Sequence, residues 1–161
     1  MSELFVNKIQ SHTDANNHVE VASGHVLYAP GHVIQVVEGT YDTQVDIGST
    51  SYTDLALSAT ITPKSSSSKI FAITNIVAYI NGTGLIGANI VRGSTQIVEV
   101  RNGLGFQDNT AGLIVLTKLD SPSTTSATTY KVQIKKSSAT GTLRINQSDG
   151  GSRITLMEIA A

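Results

Sequence analysis

The stretch Lys69-Ile70-Phe71-Ala72-Ile73-Thr74-Asn75-Ile76-Val77-Ala78-Tyr79-Ile80-Asn81 decides the fold. Successive side chains of a strand point to opposite faces. As a strand, this stretch turns Ile70, Ala72, Thr74, Ile76, Ala78 and Ile80 one way, and Phe71, Ile73, Val77 and Tyr79 the other. Residues that are apolar on both faces imply burial on both. In a domain of two stacked sheets the opposite sheet covers one face, so the second must meet another element or another subunit. Phe71, Ile73, Val77 and Tyr79 are therefore the residues expected at an interface between copies.

Shorter strands lie on either side of this one. Tyr41 to Ile47 alternates apolar or β-prone residues with Asp42, Gln44 and Asp46, and reads as a half-buried strand. Leu55 to Ile61 puts Leu55, Leu57, Ala59 and Ile61 inward; Pro63 ends it and Ser65 to Ser68 make a turn. Further strands are predicted at Leu85–Arg92, Gln96–Arg101, Leu113–Leu119, Thr128–Lys136, Leu143–Asn146 and Arg153–Ile159. Many short strands punctuated by turn signals, without sustained helical periodicity, predict an all-β fold: an antiparallel β-sandwich of the jelly-roll kind. The last strand runs almost to the final residue, so the carboxyl terminus is expected to sit inside the sheets, with little room for a downstream domain.

With 161 residues the chain suits one globular domain plus an extension. Only 14% of residues are charged against 40% hydrophobic, a balance that fits sheets with neutral polar outer faces. A net charge of −1 supplies no footprint for nucleic acid, which needs clustered Lys and Arg, and Lys135-Lys136 reads as a solvated strand end. Cysteine is absent, so the fold must hold by packing alone. The start Met1-Ser2-Glu3-Leu4-Phe5-Val6 lacks a secretory pattern, and no apolar run reaches the ~18 residues of a membrane span. Synthesis in the cytoplasm without membrane insertion is the expectation.

Residues 1–40 differ in character from the rest of the chain. His18-Val19-Glu20-Val21-Ala22-Ser23-Gly24 is echoed by His25-Val26-Leu27-Tyr28-Ala29-Pro30-Gly31 and begins again at His32. Each copy ends in a turn signal, so the segment reads as short extended strokes that cannot bury an apolar face alone. It is expected to be an extended anchoring or trimerisation segment, with 41–161 as the sandwich. Leu4, Phe5, Val6, Val33 and Val36 are its candidate contacts with a larger particle.

Nothing in the chain spells out catalysis, and neither a catalytic residue nor a cofactor is expected. Ser66-x-x-Lys69 has the letters of an acyl-transfer motif, but that chemistry needs the pair on a helix, whereas here it lies in a turn entering a strand. Gly103-x-Gly105 reads as a loop, and the length offers no room for the broad groove of a glycan-cleaving β-helix. His18, His25 or His32 from several chains could ring a metal. The spacing favours turn-flanking surface histidines instead, and no metal site is assigned. The segments Asn81–Gly87, Asn102–Gly112 and Asp120–Ala127 read as loops rich in Gly, Asn, Ser and Thr. Phe106 and Gln107 in the middle one are the candidate contact with a receptor, an aromatic beside an amide being suited to sugar.

Several stretches resemble fibre and surface proteins of tailed bacteriophages, especially marine and cyanobacterial ones. They are Leu57-Ser58-Ala59-Thr60-Ile61-Thr62-Pro63-Lys64 through Ile70, and the closing Gly150-Gly151-Ser152-Arg153-Ile154-Thr155-Leu156-Met157-Glu158-Ile159. The opening Val19 to His25 and Ala29 to Val37 is similar to the leader that precedes such domains. The resemblance implies a homotrimeric, non-enzymatic virion protein with its leaders near the threefold axis and its jelly rolls forming a head. Its partners would be other virion proteins, and a host surface glycan or protein. A short tail fibre or fibre tip is the first expectation, and a capsid decoration or head-fibre protein the alternative. Deleting residues 1–40 is expected to leave a folded trimer unable to join particles.

Overall fold

The computed structural model describes residues 29–106, 110–147 and 151–161. They form ten strands: β1 Val33–Tyr41, β2 Val45–Ile47, β3 Thr53–Ile61, β4 Lys69–Asn81, β5 Gly84–Arg92, β6 Thr95–Phe106, β7 Thr110–Asp120, β8 Thr128–Ala139, β9 Thr142–Ile145 and β10 Ser152–Ile159. No helix occurs among the described residues. The long strand β4 has the bounds its alternation predicts. The stretch read as one strand over Tyr41 to Ile47 is instead the end of β1 and the whole of β2, with a break at 42–44. Two of the three expected loops are largely strand, since β5 begins at Gly84 and β6 continues to Phe106; only 121–127 keeps a loop of the expected size.

Every strand pairing is antiparallel. The first sheet runs β1-β10-β4 with β7 on the far side of β4; past the end of β10 the short β9 pairs with β4, and β2 with β9; the second sheet runs β3-β8-β5-β6. With β2 and β9 set aside, the eight long strands pair first with last: β1 with β10, β3 with β8, β4 with β7, β5 with β6. That is one long antiparallel hairpin rolled up until its halves face each other, which is the jelly roll.

The core lies between the two sheets. β3 contributes Leu55, Leu57, Ala59 and Ile61; β4 contributes Ile70, Ala72, Ile76 and Ala78; and Tyr130, Val132 and Ile134 of β8 meet Ile154 and Leu156 of β10. Burial of a large apolar side chain stabilises by ~1.5–3 kcal/mol, so a dozen such residues supply what no disulfide can here. At one corner the sheets close tightly. A Cβ at Gly39 on β1 would lie 1.9 Å from the carbonyl oxygen of Ser58 on β3, so only a residue without a side chain lets these two outer strands approach.

β1 shifts the boundary between extension and domain. From Val33 onward the chain is an integral strand of the first sheet, paired with β10 as far as Tyr41, and a cut after residue 40 would remove it. The sequence offers no local sign of this, because the partner strand lies at the other end of the chain. Just before β1, Ala29 to His32 make a turn tied to the end of β10: Gly31 donates to the Ala160 carbonyl at 2.8 Å, and Ala160 donates to that of His32 at 2.9 Å.

Two buried polar groups hold one end of the sandwich, where Asp120 and Glu158 flank Ile70 on either side of β4. The Tyr130 hydroxyl, fully buried, donates to Asp120 Oδ2 at 2.8 Å, and the Arg92 guanidinium lies 3.3 Å from the same oxygen. Glu158, also fully buried, accepts from Gln35 Nε2 at 2.5 Å and from the Lys64 amide at 2.7 Å, which pins the Ser-rich turn to the sheet. Burial pushes the Glu158 carboxyl up, but hydrogen bonds from Gln35 and from the backbone of the Ser-rich turn outweigh it and hold the group below its ordinary value of 4.5. A depressed folded-state pKa stabilises the fold above the unfolded value and loses that contribution as pH falls through the folded one. Melting temperature is therefore expected to fall with acidification below about pH 4.5. Glu158→Gln should be less stable at pH 7 and show a shallower acid decline; an unchanged acid profile in that variant would refute the assignment.

Candidate interaction surface

The outer faces of the two sheets differ in kind. That of the second sheet is polar and internally paired. Lys131 Nζ lies 2.6 Å from Asp54 Oδ2, Gln133 donates to Asp54 Oδ1 at 2.8 Å, and Arg101 Nε lies 2.7 Å from Glu99 Oε2. Such a face is content in water.

The outer face of the first sheet is not. Directly paired residues of an antiparallel sheet share a face, so the register lays out its rows. Val36, Met157, Phe71 and Leu119 form one continuous row across β1, β10, β4 and β7. Toward one end, Val33 pairs with Ile159. Toward the other, Val77 stands opposite Leu113, with Ile73 and Val115 between these rows. The apolar surface is thus L-shaped: one arm follows β4 and β7, and the other crosses to β1. The corner it leaves out is polar, with Glu38, Thr155 and Arg153, the last bound to Asp42 at 2.5 Å.

The five large hydrophobic residues that are exposed among the described residues all sit on this face: Leu113 at 58% exposure, Val36 at 57%, Val115 at 50%, Leu119 at 48% and Val33 at 40%. Four strands ~4.8 Å apart and about eleven residues of ~3.3 Å each give the whole outer face, polar corner included, roughly 700 Å², near the ~800 Å² per partner that a stable interface takes. The apolar L covers part of it and gathers the exposed hydrophobic residues into one patch, as an interaction surface does. Pairing along the open edge of β7 is disfavoured, because Lys118 has the inward parity of buried Ala72 and Leu116 yet is exposed, and a charge so placed blunts an edge.

The sequence-predicted residues fall into two groups. Phe71, Ile73, Val77 and Tyr79 are half-buried on this face, and Val33 and Val36 lie on it beside them, so candidates assigned separately to subunit contact and anchoring belong to one surface. Phe106 is the last residue of strand β6, paired with Gly84, rather than part of a loop. Gln107, Leu4, Phe5 and Val6 lie outside the described residues, as do His12, His18 and His25, while His32 is exposed. Among the described residues no three of His, Cys, Asp or Glu gather to hold a metal, and no helix is long and apolar enough to cross a membrane. Sequence reading misses Leu113, Val115, Leu119, Met157 and Ile159. The unbroken apolar run Leu113-Ile114-Val115-Leu116 carries the same two-faced signal as β4 and points to this arm of the face.

The sequence matches no known protein family and no curated protein. Among solved structures the chain is similar to the PRD1 vertex protein P5, with 16% identity and a TM-score of 0.49, over 80% of this chain and 99% of that one. It is also similar to a structure of infectious bursal disease virus, Gx strain, with 17% identity and a TM-score of 0.47; that match covers 89% of this chain and 41% of the other.

Proposed function

We propose that the protein is a non-enzymatic structural component of a tailed-phage virion, a short homotrimeric fibre or fibre tip that attaches to the particle through its first 28 residues and displays the jelly roll outward. The observation that carries this reading is the L-shaped apolar face of the first sheet, which joins Phe71, Ile73 and Val77, whose pattern already called for neighbours, to the exposed Val36, Leu113, Val115 and Leu119. The sequence resemblance to phage surface proteins supplies the trimer and the virion. A closed ring needs two different patches that meet head to tail. The arm on β4 and β7 of one subunit meets the arm on β10 and β1 of the next. The chain is made in the host cytoplasm and ends on the particle surface, in contact with other virion proteins.

The test removes residues 1–28 and spares β1. The shortened protein is expected to sediment as the same oligomer as the full chain and to be missing from purified particles. Its recovery in virions would overturn the attachment role, and a full-length protein that sediments as single subunits would overturn the trimer. Reconstruction of the particle locates the protein: density at threefold points of the shell rather than on the tail would replace the fibre with a capsid decoration protein.

A further inference from the structure

A second set of side chains stands out on the opposite side of the molecule. On the outer face of the second sheet, Asp54 of β3 pairs with Gln133 of β8, Gln133 with Asn89 of β5, and Asn89 with Glu99 of β6. The four side chains stand in line, one per strand and ~4.8 Å apart: carboxylate, amide, amide, carboxylate. Both ends are fixed. Asp54 is held by Lys131 at 2.6 Å and Gln133 at 2.8 Å, and Glu99 by Arg101 at 2.7 Å and Gln96 at 3.2 Å. The hydrogen bond from Lys131 is the main reason that the Asp54 carboxyl lies below its usual range, and that from Arg101 does the same for Glu99, so both are ionised acceptors at neutral pH.

The middle of the row is incomplete. Asn89 is 2% exposed and donates Nδ2 to Gln96 Oε1 at 3.1 Å, yet its carbonyl oxygen Oδ1 accepts nothing. A buried acceptor left unpaired costs ~1–3 kcal/mol, which a donor arriving with a ligand would recover. Tyr52 flanks the Glu99 end of the row, where burial and that carboxylate push its hydroxyl up to about 12, and the ammonium of Lys135 covers its ring at 4.4 Å from the centroid. The row thus offers fixed acceptors, amide donors and an unfilled acceptor in a straight line.

The chemistry of this line selects its ligand. Its two carboxylates are matched by Lys131 and Arg101, and Lys135 over the Tyr52 ring is left as a single positive charge, not the cluster of cations that phosphate, sulfate or nucleic acid requires. None of its four residues is apolar, so the row offers no seat for the aromatic or aliphatic anchors that carry peptide binding. What remains is an uncharged chain of closely spaced hydroxyls, each able to donate and accept. We propose that this face binds a neutral oligosaccharide laid across the strands, read by Asp54, Gln133, Asn89 and Glu99. The inference rests on the reading of the protein as a displayed attachment component. It moves receptor contact away from the Phe106 and Gln107 segment, and a weak single contact becomes useful when presented three times.

The full-length protein is applied to a printed array of neutral, sialylated and sulfated oligosaccharides, and a neutral binder is then measured by saturation-transfer NMR. Wild type should bind neutral chains, and Asp54→Asn with Glu99→Gln should weaken that binding about tenfold or more, as expected for losing hydrogen bonds to charged groups. Sedimentation and melting verify that the variant is intact, and if it is not folded Gln133→Ala carries the same expectation. Binding that survives these changes, a preference for sialylated or sulfated chains, or no binding to any neutral chain overturns the proposal. Because the readout is the isolated protein, its failure leaves the virion assignment to be decided on particles.

Discussion

Leu113→Asp and Val77→Asp are each expected to convert the assembled protein into folded single subunits. The two residues face each other on β7 and β4, at the middle of the long arm of the apolar face. Leu113 is 58% exposed in the single subunit, so replacing it there removes little packing, and changes at such positions usually stay within about 0.5 kcal/mol. In an interface the same carboxylate must lose its water without a cation to meet it, at a cost of several kcal/mol. At ~1.4 kcal/mol per tenfold, association should weaken by a factor of hundreds to thousands. Sedimentation velocity reads the outcome, and circular dichroism verifies that the strands remain. An intact oligomer of the Leu113 variant would mean that this arm faces water, and the ring would have to be built from another surface.

The largest effect on stability is expected from Gly39→Ala. The added methyl would lie 1.9 Å from the Ser58 carbonyl oxygen and 2.7 Å from its carbon, both backbone atoms that cannot swing aside as a side chain can. β1 or β3 must move, and overpacking of this sort costs about 3 kcal/mol, equivalent to a melting point roughly 10 °C lower for a domain of this size. Gly48→Ala is the matching control, because nothing lies within 4 Å of the position its Cβ would take. Equal melting points for the two variants would show that the corner between the sheets is open.

The strands that sequence reveals well are those whose inner residues alternate with polar ones. β3 buries Leu55, Leu57, Ala59 and Ile61 and leaves the intervening residues to solvent, and β4 keeps its period over its whole length. Glycine hides a strand when it stands inside one. Gly87 falls where the predicted loop Asn81–Gly87 and the predicted strand Leu85–Arg92 overlap; it lies in β5, and only glycine fits there, because the side chain of Lys135 and the carbonyl of Arg101 are 2.6 and 2.8 Å from where a Cβ would stand. β1 escapes sequence reading for a different reason. Its Val36 and Val37 are ordinary strand residues whose partner is more than a hundred positions away, and no local pattern records such a pairing. The same limit divides the two surfaces. The apolar face is visible in Phe71, Ile73, Val77 and Tyr79, since one strand carries the signal alone. The polar row is not, because Asp54, Asn89, Glu99 and Gln133 belong to four strands and become neighbours only once register is set.

The place of β10 has a consequence for when the apolar face comes into being. Val36 and Phe71 meet only across Met157, so the transverse arm of the apolar face does not exist until that strand slides between β1 and β4. Pairings this distant along the chain form slowly, since much loop entropy must be lost before the contacts reward it. A chain cut short of Ser152 therefore lacks the transverse arm altogether and keeps only the arm on β4 and β7. Completion of the apolar face is thus the last event that topology permits, reserved for chains whose final strand is in place.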